Sequence, residues 1–246
     1  MSAIIELLNQ VKSGAVNMPV QRLCIGLHWT AVTGLKTGFA ATQADAPCCR
    51  SKDIDWVGKL HDHTLFDLLG LLNSEHPLEV SVGMAALNAL IKVDDQNITE
   101  FNTRDVILQR SQQKRVTLIG HFPFAEKLQQ AAAQLWVLEL DPGPGEYPAS
   151  AADELIPQAD VIGLTATTLM NGTFDNLYPL FPKDALVVMM GPSTPMHPLF
   201  FDYGIDILAG SQVVSPESLY HYVEQGSTLH HVEGLRRLTL TRPGLL

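Results

Sequence analysis

The sequence contains few cysteines, few basic residues and no long apolar run. Its 3 cysteines are too few for a disulfide framework. The 16 lysines and arginines are outnumbered by 26 aspartates and glutamates, and the net charge of −10 argues against nucleic acid or an anionic membrane as the main partner. No segment approaches the ~20 consecutive apolar residues that cross a membrane. We therefore expect a cytoplasmic protein without nucleic-acid or membrane partners.

Apolar residues are abundant enough for a packed core. They make up 46% of the sequence and charged residues 17%, a balance that is typical of globular domains. Up to residue 112, strand-like segments are followed by helical patterns, which predicts a small α+β domain over residues 1–112. From residue 113 onward, strands and helices alternate. This alternation predicts a Rossmann-like, doubly wound parallel α/β sheet over residues 113–246.

Two apolar segments, residues 161–165 and 185–190, are each followed by small and polar residues. Neither segment alternates with polar residues, as expected of strands that are buried on both faces. Ligands of open α/β sheets bind outside the carboxyl ends of the strands, so we predict a polar ligand pocket there, with helix capping as the alternative. The predicted ligand-binding residues are Thr165, Thr167, Thr168, Asn171, Gly172 and Thr173 after the first strand, and Gly191, Pro192, Ser193 and Thr194 after the second.

The first strand–helix turn of the predicted sheet carries Gly120, but bulky residues follow it. His121 and two aromatic or proline neighbours would obstruct a pyrophosphate, which argues against a nicotinamide or flavin cofactor. His121 is a candidate metal ligand, general base or hydrogen-bond donor, with helix capping as the structural alternative. Glu139 ends the next strand, where an acidic residue either contacts a ribose hydroxyl, ligates a metal with His121, or is simply solvated.

The neighbouring thiols of Cys48 and Cys49 also suggest a soft-metal site. Adjacent cysteines bind one ion less readily than a spaced pair, and no second pair in the sequence completes four ligands. The sequence therefore leaves the role of Cys48 and Cys49 open. Cys24 lies in a strand-like segment and is expected to be a small core residue.

Several of these motifs recur together, in the same order, in a known family. They are residues 120–124, Glu139, and residues 155–161, 167–173 and 191–195. They resemble a prokaryotic family of unknown function that is described as a heavy-metal chelation domain. Residues 29–32 and 81–89 resemble the companion N-terminal domain of that family. The resemblance covers nearly the whole chain, and one departure is Ala166, where the family more often has glycine.

The resemblance implies an enolase-N-terminal-like domain followed by a Rossmann-like domain, with the site in the cleft between them. Trp29, Thr30 and Asn88 would then face residues 167–173 across the cleft. The implied function is binding of a heavy or transition metal ion or a metal chelate. His121 and Glu139 would be the metal ligands.

Two other functions stay open on the sequence. One is an enzyme acting on a small anionic or nucleoside-like metabolite, and the other is a non-catalytic ligand sensor or carrier. Base rates for chains of this size favour a homodimer.

Overall fold

The computed structural model describes residues 2–44, 47–93, 98–99, 102–228 and 232–245. The chain divides into two compact units. The first comprises residues 1–93, 192–197 and 210–238, and the second comprises residues 94–191, 198–209 and 239–246. We predicted one boundary, after residue 112. Ile107 lies before that boundary and is nevertheless fully buried in the core of the second unit. No helix in the described ranges is long and apolar enough to cross a membrane.

The first unit combines a three-stranded antiparallel sheet with helices. The strand order is β1-β2-β3, and β2 and β3 pair as an antiparallel hairpin over residues 29–41. The elements of this unit are helices α1 (Ala3–Gly14), α2 (Leu65–Leu69), α3 (Pro77–Leu90) and α9 (Pro216–Glu224), with strands β1 (Arg22–Ile25), β2 (Trp29–Thr33) and β3 (Thr37–Ala41). Short 3-10 helices span Pro47–Arg50, Leu60–Asp62 and Gly70–Asn73.

Helix α3 is the central helix of the first unit. It begins at Pro77, whose fixed φ suits the first helical position, and His76 precedes it as the N-cap residue. Strand β3 lies directly against it, because a Cβ atom at Gly38 would stand only 2.2 Å from the carbonyl oxygen of Ala85. Glycine is therefore required at this point of β3. An apolar cluster in this unit includes Phe39 of β3 and Tyr220 of α9.

The second unit contains most of an eight-stranded sheet with the order β4-β11-β10-β9-β8-β5-β6-β7, of which residues 210–213 and 235–238 are counted in the first unit. Pairing is parallel from β10 through β9, β8, β5 and β6 to β7, and antiparallel between β11 and β4. The strands are β4 (Ile98–Thr99), β5 (Arg115–Ile119), β6 (Gln134–Glu139), β7 (Tyr147–Pro148), β8 (Val161–Thr165), β9 (Leu186–Met190), β10 (Ile207–Val213) and β11 (Leu235–Thr241). The helices are α4 (Thr103–Arg110), α5 (Ala125–Ala131), α6 (Ala152–Leu155), α7 (Thr167–Met170) and α8 (Phe174–Leu177).

This architecture confirms the predicted mixed α/β fold with a mostly parallel sheet and a small separate antiparallel sheet. The parallel strands lack polar alternation because their residues are buried: Val116, Leu118, Val161 and Val188 all belong to one apolar cluster. Strand β5 lies between β6 and β8 in the sheet. The chain therefore proceeds to one side after β5 and to the other side at β8. Ligands of open α/β sheets bind at such a switch point.

Candidate functional site

The carboxyl ends of β5 and β8 are in close contact. Gly120 follows β5 with φ +102, and a Cβ atom there would approach Cγ2 of Thr165 to 2.7 Å. Both the positive φ and the short distance favour glycine. His121, the next residue, is thereby positioned beside the end of β8.

The imidazole of His121 lies between two carboxylates. Its Nδ1 is 2.6 Å from Oε1 of Glu139, and its Nε2 is 2.6 Å from Oε1 of Glu146. The histidine side chain is 68% exposed, whereas each glutamate side chain is only 17% exposed. An imidazole donates to both carboxylates only when both nitrogens carry hydrogen. The three side chains thus form a compact cluster at the carboxyl edge of the parallel strands.

Glu146 is not among the site residues predicted from the sequence, because it lies in the turn-rich segment of residues 141–148. The backbone N–H of Gly143 donates to Oε2 of Glu146 at 2.7 Å. This hydrogen bond, followed by the contact with His121, holds the pKa of Glu146 below its usual value. The loop thereby presents a carboxylate to the ring.

The hydroxyl groups after β8 are largely engaged in local contacts. Thr165 Oγ1 and Thr167 Oγ1 are 2.5 Å apart, and the hydroxyl of Thr168 donates to the carbonyl oxygen of Thr165. The N–H and hydroxyl of Thr173 both donate to Oδ1 of Asn171. These contacts are the capping and turn bonds of the alternative interpretation. Of these residues, Thr165 is the one whose side chain lies against Gly120, and ligand binding by this segment stays a prediction.

The remaining predicted site residues are distributed over both units. Gly172 and Gly191 are in the second unit and have φ values of +73 and +128. Trp29, Thr30, Asn88, Pro192, Ser193 and Thr194 all belong to the first unit. A cleft shared by the two groups stays a prediction.

In the first unit, three predicted ligand-binding side chains have structural contacts. The amide Nδ2 of Asn88 donates to the carbonyl oxygens of Phe39 and Ser193 at 3.1 and 3.2 Å. The hydroxyl of Ser193 accepts a hydrogen bond from the backbone N–H of Ala41 at 2.9 Å. Thr30 contacts the hydroxyl of Thr42 at 2.9 Å. The hydrogen bonds of Asn88 and Ser193 fasten residues 192–197 to β3 and α3.

A small cavity in the first unit lies beside Asn88 and Thr194. Its volume is ≈ 50 Å³, which is room for a few water molecules and not for a nucleotide. The buried Oγ1 of Thr194 finds no hydrogen-bond partner within the described ranges. A cavity of this size is far smaller than the ~300 Å³ or more of a typical metabolite pocket.

A second cluster of metal-type ligands lies in the first unit. The Sγ atoms of Cys48 and Cys49 and a ring nitrogen of His76 all lie within 4.8 Å of one another. In the described ranges, no other group of three histidine, cysteine or carboxylate side chains brings one ligand atom from each within 4.8 Å of all the others. His76 was missed in the sequence because it is remote from the cysteines along the chain. No local sequence pattern indicates that it would join them.

Comparison with known proteins identifies the family. The sequence profile of DUF364, described as "Putative heavy-metal chelation", matches residues 102–242, which is more than half of the chain. The chain belongs to the DUF364 family. DUF4213, which carries the same description, matches residues 8–91. The resemblance found in the sequence is thus confirmed.

Two crystal structures of DUF364 proteins of unknown function are similar over nearly the whole chain. One from Desulfitobacterium hafniense is 21% identical with a TM-score of 0.84, and the match covers 97% of this chain and 99% of that chain. One from Pyrococcus horikoshii is 19% identical with a TM-score of 0.79, covering 98% and 100%. At these identities the likeness shows the shared fold.

A sequence relative comes from Methanocaldococcus jannaschii. It is the uncharacterized protein MJ0500, which is 24% identical over 173 residues. The match covers 67% of this chain and 66% of the relative, so it spans just under two thirds of that protein's length.

Proposed function

We propose that the protein binds a heavy or transition metal ion, alone or as a metal chelate, as its cargo at the carboxyl edge of the parallel sheet. The observation that carries the proposal is the His121 ring between two carboxylates, with both nitrogen–oxygen distances at 2.6 Å. The family description of heavy-metal chelation supports it. Imidazole and carboxylate together suit borderline ions such as Zn²⁺, Ni²⁺ or Co²⁺.

The two glutamates have different roles in this proposal. A histidine that ligates a metal commonly donates its second ring N–H to a carboxylate, which orients the ring. Glu139 is largely buried at the end of β6 and suits this orienting role. Nε2 of His121 then faces Glu146, so that the ion would take the position of the proton between Nε2 and that carboxylate.

The distances define how the site must adjust. Metal–nitrogen and metal–oxygen bonds of roughly 2.0–2.2 Å do not fit within a separation of 2.6 Å between the two ligand atoms. Glu146 must therefore move outward by roughly 1 Å or more when the ion enters. Residues 141–145 are exposed and leave room for this shift. The remaining coordination positions would take water or the oxygens of an organic ligand, with Thr165 and Thr167 beside them.

Calorimetric titration with Ni²⁺ and Zn²⁺, on protein whose thiols are blocked by alkylation, tests this proposal. We expect His121→Ala to lower the affinity by at least about 100-fold, because it removes a direct ligand, where loss of an outer-shell partner alone costs 10–100-fold. His221→Ala is the matched control, since His221 is also exposed and lies 3.4 Å from the carboxylate of Glu217. Equal binding by wild type and His121→Ala would refute the proposal.

An enzyme acting on a small anionic or nucleoside-like metabolite is the second candidate. Glu139 ends the second strand of the parallel series, where carboxylates of related sheets contact a ribose hydroxyl. In that case His121 would act as the acid or base. A thermal-shift screen of nucleotides and dicarboxylates separates the two functions, because a ligand of the native state raises Tm. A carrier or sensor would show the same shift without turnover.

A further inference from the structure

Cys48, Cys49 and His76 form a cluster of soft ligands that is separate from the His121 cluster. The two thiols are half-buried in the 3-10 helix Pro47–Arg50, and the ring of His76 is 4% exposed. Their ligand atoms lie within 4.8 Å of one another. Around one tetrahedral ion, sulfur and nitrogen ligands are roughly 3.5–3.8 Å apart. The side chains therefore need to close by only about 1 Å to share an ion.

The hydrogen bonding of His76 leaves one nitrogen available. Nε2 lies 3.1 Å from the backbone carbonyl oxygen of Lys52, so Nε2 carries the hydrogen and donates it. Nδ1 is then the nitrogen with the lone pair, and it is buried without a hydrogen-bond partner among the described residues. A buried polar atom without a partner is costly and calls for an explanation. The donation from the other nitrogen to a carbonyl is the arrangement that orients metal-binding histidines.

The backbone on both sides of the thiols is fastened to α3. Before them, the N–H of Gln43 donates to Oγ of Ser81 at 3.0 Å. After them, the N–H of Asp55 donates to the buried carboxylate of Glu79 at 2.6 Å. Between these points, the N–H of Lys52 donates to the carbonyl oxygen of Cys48 at 3.0 Å. Because Lys52 also accepts from His76, one residue links the thiol turn to the imidazole, and the three ligands are preorganised.

We propose that Cys48, Cys49 and His76 bind a thiophilic divalent ion of the Zn²⁺ or Cd²⁺ type. Two thiolates and one imidazole are soft ligands that favour such ions over Mg²⁺ or Ca²⁺. Three protein ligands leave a fourth position for water or an exchanging ligand, as in open zinc sites. The site lies in the first unit and uses none of the residues of the function proposed above, so either can fail without the other.

Proton balance is part of this proposal. Each thiol loses its proton to solvent when its sulfur bonds to the ion, and Nδ1 of His76 contributes its lone pair without losing a proton. The contact of the Cys49 thiol with the carbonyl oxygen of Gln43, at 3.6 Å, is lost in the same step. Binding is therefore expected to release up to two protons per ion and to weaken as the pH falls.

Cadmium titration of the whole, reduced chain tests the site through the ultraviolet thiolate-to-cadmium charge-transfer band. We expect Cys48→Ser, Cys49→Ser and His76→Ala each to lower the affinity by at least about 100-fold. Cys24→Ser is the matched control, because Cys24 lies in β1 and is not part of the cluster. His121→Ala should leave this band unchanged. Equal binding by wild type and the Cys48→Ser/Cys49→Ser double variant would overturn the proposal, as would an equal loss in Cys24→Ser.

Alkylation of the wild-type protein keeps the proposal testable if a variant fails to fold. Zinc should protect the peptide that contains Cys48 and Cys49 from iodoacetamide, whereas Mg²⁺ should not. The peptide that contains Cys24 should react at the same rate with and without zinc. Unchanged labelling of Cys48 and Cys49 in the presence of zinc would refute the site.

Discussion

Replacement of Gly120 by alanine should distort the junction of β5 and β8 at a cost that can be divided into two parts. Alanine at φ +102 costs about 1–3 kcal/mol in backbone strain. Its Cβ atom would also lie 2.7 Å from Cγ2 of Thr165, and such overpacking costs about 1–3 kcal/mol. We therefore expect the free energy of unfolding to fall by about 2–6 kcal/mol.

Two further variants separate these contributions. Gly172→Ala has positive φ at +73 but would meet no atom within 4 Å, so it should cost only about 1–2 kcal/mol. In the Gly120→Ala background, Thr165→Ser removes the clashing methyl group and should recover about 1 kcal/mol. Urea unfolding followed by circular dichroism measures wild type, Gly120→Ala, Thr165→Ser and the Gly120→Ala/Thr165→Ser variant as a double-mutant cycle, with Gly172→Ala measured beside them. The reasoning is refuted if Gly120→Ala costs no more than Gly172→Ala, or if Thr165→Ser gives no recovery.

Three other substitutions test the fold. Gly38→Ala should destabilise the protein by about 3 kcal/mol in urea unfolding, because the new Cβ atom would meet helix backbone at 2.2 Å. Gly14→Ala is the control, since a Cβ atom there meets nothing within 4 Å. Equal free energies of unfolding for the two variants would contradict this packing. Arg115, through its side-chain hydrogen bonds, lowers the pKa of Asp160 from 3.8 to about 2. Because the folded pKa is depressed, the stabilisation exists above pH ~4 and is lost as pH falls from ~4 to ~2. Asp160→Asn should cost about 1 kcal/mol at neutral pH, after allowing for solvent screening, and flatten acid denaturation in that window. Thr64→Ala removes the capping-box hydroxyl of α2 and should cost about 1 kcal/mol, measured by the urea midpoint, and an unchanged midpoint would argue against that cap.

The alternating strands and helices of the second unit could be predicted from the sequence, because the residue patterns that indicate them are local. Strand β8 was expected at residues 161–165 and is found at Val161–Thr165, since apolar runs bounded by small residues define buried strands. Two-residue strands such as β4 and β7 carry no periodic signal and were missed. The return of residues 192–197 and 210–238 to the first unit depends on contacts remote in sequence, and no local pattern predicts it.

The candidate sites show the same contrast between residues that local patterns indicate and residues that only tertiary packing brings in. Metal ligation together with His121 is one of the alternatives that the sequence leaves open for Glu139, because both lie at the ends of parallel strands, and the structure brings the two side chains to 2.6 Å. Glu146 and His76 were missed, since each reaches its cluster through a loop or a helix start whose course is set by tertiary packing. Ligand binding by the threonines after β8 stays a prediction, and the hydrogen bonds that several of them make are local. Hydroxyl-rich turns satisfy the backbone and bind ligands with the same residue types, so composition does not separate the two roles.

Equilibrium dialysis of the metal-free, reduced wild-type protein against micromolar zinc tests the central claim most directly. The account predicts that the chain retains zinc, that the Cys48→Ser/Cys49→Ser variant retains less, and that adding His121→Ala abolishes retention. Cys24→Ser and His221→Ala should retain as much as wild type. Wild-type protein that retains no more zinc than the triple variant would contradict the claim that this chain binds metal ions.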